Sequence, residues 1–345
     1  MRLIARLATL VALAAAASTA EAQWTPQRSG TTASLRGLHA VNDSVVWASG
    51  TKGTVLRTVD GGARWEAHVV TGADSLDFRD VQGLDARTAV VASAGNPARL
   101  YRTADGGRRW TQVYQHPDTT AFFDGLTFWD ARNGVVYSDP VGGRWVVLLT
   151  SDGGRTWRPL PSEALPAPLA GEALFAASGT GIAAMRPGTV WFATGGGRAA
   201  RVFRSEDRGR RWTAAETPVV AGEGAAGIFS IAFADRRRGV AVGGVYTKPA
   251  SDSANAAVTT DGGRSWRLPK GRRPGGYRSG AAAVPGTRGR TFVAVGTTGT
   301  DLSTDGGESW TAIGTEGFNS VTFATRDDGW AVGDKGRVAR WTPSK

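Results

Sequence analysis

Hydrophobic positions along this chain fall in short runs, each bounded by Gly, Asp or Asn. Leu35–Val41, Val45–Gly50 and Gly53–Thr58 are such a trio. Phe122–Phe128, Gly134–Ser138 and Arg144–Thr150 form a second, and Ile228–Phe233, Gly239–Gly244 and Ala256–Thr260 a third. Runs this short, rich in β-branched and aromatic residues and punctuated by turn formers, predict β-strands. Glycine makes up 48 of 345 residues, about twice the usual roughly 7%. That excess favours many tight turns over long helices.

The punctuation is periodic. The motif Ser/Thr-x-Asp-x-Gly-x-x-Trp occurs six times, at Thr58–Trp65, Thr103–Trp110, Thr150–Trp157, Ser205–Trp212, Thr259–Trp266 and Ser303–Trp310. Its aspartates, Asp60, Asp105, Asp152, Asp207, Asp261 and Asp305, follow one another at intervals of 45, 47, 55, 54 and 44 residues. Such regular self-similarity marks a repeat architecture. The motif has the chemistry of a hairpin turn. The carboxylate accepts backbone N–H groups, the Gly adopts positive φ, the hydroxyl adds a local bond, and the Trp opens the next strand. Six equivalent aspartates tens of residues apart are read as structural, not as metal ligands or catalysts.

With the segment after each Trp, a repeat holds four strands, the signature of a propeller blade. After the sixth motif, Phe318–Ala324, Gly329–Gly333 and Gly336–Trp341 repeat the first three strands, and a fourth is lacking. Gln23–Ser29 resembles the strand that follows each motif, as in Trp65–Val69. The chain is therefore expected to be an all-β, seven-bladed β-propeller with four antiparallel strands per blade. Its N-terminal strand would complete the C-terminal blade and so remove the exposed edges of an open array.

The N-terminus is read separately. Arg2 and Arg6 precede an apolar run, Leu7–Ala17, too short to span a bilayer, and Ala20-Glu21-Ala22 is a small-x-small cleavage site. Residues 1–22 are expected to be a signal peptide and residues 23–345 one propeller domain. The product would be exported to the periplasm or extracellular space, with no transmembrane segment once the leader is removed, and monomeric. The absence of Cys suits an oxidising compartment and excludes disulfides, thiolate catalysis and cysteine metal sites. His39, His68 and His116 form no metal-ligand pair, so neither metal nor cofactor is expected. The formal charge of +11 comes largely from Arg, much of it inside the repeated turns (Arg64, Arg108, Arg109, Arg155, Arg210, Arg211, Arg264). A charge spread around a rim rather than gathered in a groove argues against nucleic acid.

The Ser/Thr-x-Asp-x-Gly-x-x-Trp element is similar to the Asp-box, or bacterial neuraminidase repeat. Combined with Gly329-Trp-Ala-Val-Gly333, it resembles the photosystem II stability/assembly factor family and its bacterial relatives across the region after the leader. The resemblance implies a seven-bladed exported propeller without enzymatic activity that binds a protein partner. In photosynthetic members that partner is a reaction-centre protein, and an arginine-rich face helps dock it.

Propellers bind ligands where their innermost strands begin. Aligning the repeats places Arg36, Arg79, Asp124, a slot near Glu172 to Leu174, Phe229 or Ser230, Arg278 and Asn319 there, flanked by Asp80, Tyr277 and Ser279. Arg36, Arg79, Asp124, Glu172, Tyr277, Arg278 and Asn319 are the candidate partner-binding residues; no catalytic residue is assigned. The alternative is a glycan-acting hydrolase of sialidase type at the same mouth, since these residues include the arginines, tyrosine and acids that such enzymes use. The sialidase Phe/Tyr-Arg-Ile-Pro motif is missing, however, and sialidase propellers have six blades. Two insertions, Pro159–Gly171 and Tyr246–Ala254, are further places for partner contacts.

Overall fold

A computed structural model describes residues 24–342 as a closed ring of seven antiparallel sheets. The signal-peptide expectation lies outside the described residues. Blade 1 runs Leu35–Ala40, Val46–Gly50, Thr54–Thr58, Glu66–Val69, from the axis outward. Blade 2 is Asp77–Gly83, Ala89–Ala94, Arg99–Thr103, Thr111–Gln115; blade 3 is Phe123–Phe128, Gly134–Val141, Arg144–Thr150, Arg158–Pro159. Blade 4 is Ile182–Met185, Thr189–Ala193, Arg201–Ser205, Thr213–Glu216; blade 6 is Gly280–Ala283, Phe292–Gly296, Gly299–Ser303, Thr311–Gly314. In blade 7, Ser320–Phe323, Gly329–Val332 and Val338–Trp341 are completed by the N-terminal strand Trp24–Gln27, paired Trp24 to Trp341 and Gln27 to Val338. Each innermost strand packs on the next, and that of blade 7 returns to blade 1.

Blade 5 has three full strands, Ala226–Phe233, Gly239–Val245 and Ala256–Thr259, and its fourth shrinks to one bridge between Val258 and Arg267. Those two residues exchange both backbone hydrogen bonds, at 2.9 and 3.1 Å. The next hydrogen-bonded position on the outer side is Pro269, which has no N–H to extend the ladder.

The six Asp-box turns share one geometry. The Ser/Thr hydroxyl donates to the Asp Oδ1 at 2.7–3.0 Å. It accepts from the N–H of the second Gly at 2.9–3.1 Å. The same Oδ1 accepts the N–H of the residue before the Trp at 2.9–3.0 Å. In four boxes the indole N–H closes on the Gly carbonyl three residues back; Trp65 instead donates to Gln27 of blade 7. This Gly, the second of a pair in five boxes and the lone Gly209 in the fourth, is always at positive φ and rests on the preceding blade. A Cβ on Gly154 would meet Val90 at 2.7 Å, on Gly307 Val240 at 2.4 Å, and on Gly263 Trp191 at 3.3 Å. Glycine is therefore needed twice over, for its φ and for the close approach. Between blades lie successive hydrophobic clusters, such as Trp145, Phe192, Phe203 and Trp212 between blades 3 and 4.

Candidate functional site

The axial channel is not open from end to end. Residues 173–181, which lead into the inner strand of blade 4, cross it. The carbonyls of Ala177 and Ala176 accept from Arg36 of blade 1 and Arg79 of blade 2, each at 3.3 Å. Ser178 donates to the carbonyl of Ser279 near blade 6 at 2.6 Å and accepts, through its own carbonyl, from Ser320 of blade 7 at 2.9 Å. Thr180 bonds Ser230 of blade 5 at 2.7 Å, and its carbonyl accepts Ile231 N–H at 2.9 Å. A Cβ on Gly179 would collide with the Asp80 carboxylate of blade 2. One segment that touches blades 1, 2, 5, 6 and 7 can only lie near the axis, and it splits the channel into two cavities.

The cavity at the end where the inner strands begin has a volume of about 440 Å³. It has two unlike walls. One is aromatic: Phe175 stacks on Phe229 with ring centroids 3.8 Å apart, and Tyr277 and Tyr246 meet Phe229 edge-on at 4.8 and 6.1 Å. The other is charged, with Arg36, Arg79, Asp124 and Asp139. Arg79 Nε holds Asp77 at 2.7 Å, while Arg36 makes no ion pair within 4 Å among the described residues. Asp124 is buried; its Oδ2 accepts Asp139 N–H at 3.0 Å and its Oδ1 has no partner. Burial first, then the neighbouring Asp139 carboxylate, push the Asp124 carboxyl well above the usual range. Burial also raises Asp139, whose Oδ1 accepts Leu174 N–H at 2.7 Å.

Of the seven candidate residues, Arg36, Arg79, Asp124, Tyr277 and Asn319 line this cavity. Asn319 is engaged in ring closure: its amide donates to Leu35 carbonyl at 3.0 Å and to Asp334 at 2.9 Å. Glu172 and Arg278 do not line it. Glu172 accepts from Arg201 Nε at 2.8 Å and Nη2 at 2.5 Å, and from Thr194 at 2.6 Å, anchoring the inserted loop to blade 4. Arg278 is held by Asp301 at 2.5–2.6 Å and by Thr298 at 2.9 Å. Both pairs are buried and joined by several hydrogen bonds, so each fixes a loop and is withdrawn from solvent. Of the blade 4 slot near Glu172 to Leu174, Leu174 lines the cavity and Glu172 does not. That blade's inner strand starts at Ile182, and the extra residues before it form the channel crossing. Residues that the repeat alignment missed include Phe175, Asp139 and Tyr246, all outside the aligned strand starts.

A sialidase-like centre needs three converging arginines beside an activated tyrosine. Arg278 is locked on Asp301, Glu172 is locked on Arg201, and burial pushes the Tyr277 hydroxyl upward, away from the phenolate. No group of three or more His, Asp or Glu side chains among the described residues is arranged to hold a metal ion.

Comparison with known proteins agrees with this architecture. Residues 16–121, less than half of the chain, match the family model described as photosynthesis system II assembly factor YCF48. No curated protein matches in sequence. Among solved structures, YCF48 from Cyanidioschyzon merolae superposes with a TM-score of 0.65 at 18% identity, over 94% of this chain and 100% of that one. YCF48 bound to D1 peptide gives 0.64 at 17% identity, over 93% and 97%. The WD40 propeller of Doa1 gives 0.58 at 14%, over 93% and 96%, so at this distance the likeness speaks for the fold. The chain is a seven-bladed Asp-box propeller that resembles the photosystem II assembly factor family.

Proposed function

We propose that this protein is an exported, monomeric, non-enzymatic scaffold of the cell envelope, and that it binds a segment of a protein partner at the channel mouth. The observation that carries the reading is the two-walled cavity. A stacked aromatic wall faces Arg36 and Arg79 over a floor built from peptide backbone. Aromatic walls supply apolar area at low entropic cost, and half-buried arginines supply direction and selectivity. The floor supports this reading, since both arginines donate to main-chain carbonyls of the chain itself. A solved relative of the same fold holds a D1 peptide, which supports a peptide as the class of ligand. Export rests on the leader, residues 1–22, and among the described residues no helix is long and apolar enough to cross a membrane.

The test is affinity capture from the native envelope, comparing the wild type with an Arg36→Ala/Arg79→Ala variant. Loss of specific partners from the variant, with an unchanged melting temperature, is expected. Equal recovery by both proteins sinks the mouth as the binding site. Fractionation with N-terminal sequencing checks the location, for which a mature start at Gln23 is expected.

A further inference from the structure

Four blades carry an arginine at the same place on their third strand, and one of the four differs from the rest. Arg57, Arg102, Arg204 and Arg340 occupy equivalent register positions, opposite Trp47, Val90, Trp191 and Trp330 respectively. Arg57 is neutralised by Glu66 at 2.8 Å, Arg340 by Asp328 at 2.6 Å, and Arg204 by Glu206. Arg57 and Arg340 also lie over Trp47 and Trp330, 5.7 Å from each ring. Arg102 has neither device. Where blade 1 has Glu66 after its box Trp, blade 2 has Thr111; where blade 4 has Glu206 after its box Ser, blade 2 has Ala104; and Val90 replaces the Trp.

The lost side chains leave a space. A cavity of about 420 Å³ opens beside Arg102, lined by Ala104, Asp105, Arg109, Thr111, Val113 and Arg155. Arg102 is oriented by its Nε, which donates to the Gly153 carbonyl at 2.8 Å, and its two terminal nitrogens have no acceptor among the described residues. Arg155 has one nitrogen on the Asp152 carbonyl at 2.6 Å, and the Arg109 guanidinium has no acceptor among the described residues. Among the described residues none of the three arginines has an ion pair within 4 Å. The single acid in the lining, Asp105, is engaged by Thr103 at 3.0 Å and Arg109 N–H at 3.0 Å in its own turn. The nearby acids are similarly tied: Asp85 accepts the Arg87 and Thr88 N–H groups, and Asp152 those of Arg155 and Thr156. Burial first, and then Arg155, hold the Arg102 guanidinium below its usual range, against the opposing pull of the Asp152 and Asp85 carboxylates.

We propose that this cavity between blades 2 and 3 is an oxyanion site that binds a phosphate group, which takes the place held by a carboxylate in blades 1 and 4. Guanidinium forks match phosphate oxygens in bidentate geometry, and three of them suit a phosphate better than a single carboxylate. The Thr111 hydroxyl supplies a further donor at the same wall. The phosphate can come from free phosphate in solution or from a phospholipid headgroup.

The decisive variant restores the missing acid. Ala104→Glu copies the blade 4 solution and should fill the site from within the chain, while the melting temperature stays level or rises. Titration calorimetry with inorganic phosphate, against chloride at matched ionic strength, should show binding to the wild type and at least tenfold weaker binding to Ala104→Glu. Thr111→Glu, which copies blade 1, should do the same. Absence of phosphate binding by the wild type, or equal binding by wild type and both variants, overturns the proposal. Sedimentation with phosphatidylglycerol and phosphatidylcholine vesicles separates the sources. Capture by the former alone, lost in Ala104→Glu, identifies a headgroup; phosphate binding without vesicle capture identifies a soluble phosphate.

Discussion

Aspartate does opposite things at the two ends of this molecule's radius. In five of the six Asp-box turns, at Asp60, Asp105, Asp152, Asp207 and Asp261, it lies near the surface and its carboxyl is held below the usual range. Backbone N–H of Arg64 and the Thr58 hydroxyl pull the Asp60 carboxyl down, and Asp105 is lowered chiefly by Arg109 N–H. Partial burial opposes the same effect at Asp152 and Asp261, yet their hydrogen bonds, led by the Thr156 and Ser265 side chains, bring both to about 2. Near the axis, Asp80, Asp124 and Asp139 are pushed up by burial. The outer set is repeated six times with one geometry; the inner set occurs once. Repetition marks what every blade needs in order to stand. Singularity marks what only this face of the ring can do.

The difference is sharpest in what removal costs. Trp310, 1% exposed, closes its box on the Gly307 carbonyl and fills the space between blades 5 and 6. Trp310→Ala should lower the stability by about 3–5 kcal/mol, the range for deleting a buried large aromatic side chain. Denaturant unfolding monitored by far-UV circular dichroism measures it. A loss below about 1 kcal/mol would mean that the boxes decorate the blades rather than hold them.

Second in size is the carboxylate itself. Asp152→Ala removes an ionised acceptor of four hydrogen bonds, which corresponds to a loss of about 1.5–3 kcal/mol at pH 7. The folded-state value lies below the unfolded one. Its contribution is therefore present above about pH 4 and is lost as the pH falls toward 2. Wild type and variant should converge over that window in pH-dependent urea midpoints. A constant gap down to pH 2 would show that packing, and not the charge, was lost.

For the inner acids the sign reverses. A carboxyl raised by folding keeps its proton in the native state while the unfolded chain releases it, so stability declines as the pH rises from about 4 through the folded value. Asp124→Asn retains an acceptor for Asp139 N–H and has no charge to desolvate. Its unfolding midpoint should equal or exceed that of the wild type at pH 7 and fall less steeply with pH. A strongly destabilised Asn variant at pH 7 would show that Asp124 is ionised in the fold and paired with Arg79.

How much could be read from the chain follows the same division. Box, blade count and closure are written in local spacing, because an Asx turn, a Gly at positive φ and a strand-opening Trp are chosen within eight residues. Arg36, Arg79 and Asp124 were legible because they occupy the same register in blades that obey the repeat. Glu172 and Arg278 were not. Their partners, Arg201 and Asp301, sit 29 and 23 residues away on third strands, and no spacing rule links them. The channel crossing was hidden for another reason. Residues 173–181 have no strand pattern, and their position depends on hydrogen bonds from five other blades. The Pro159–Gly171 insertion thus continues inward instead of ending as a surface loop.

The smallest expected effect is the most discriminating for function. Among the described residues Arg36 makes one long hydrogen bond, 3.3 Å to the Ala177 carbonyl, and no ion pair. Arg36→Ala should change stability by no more than about 1 kcal/mol, within a few degrees of the wild-type melting temperature. Were it a rim residue of the framework, its removal would be silent in every assay. At a binding mouth it should instead abolish or sharply reduce partner capture while the melting curve barely moves. Arg64→Ala, in an exposed Asp-box turn where only the backbone N–H is used, is the matched control. If the two variants retain the partner equally, the contrast between a repeated rim and a singular centre describes the fold alone, and the partner must be sought elsewhere on the ring.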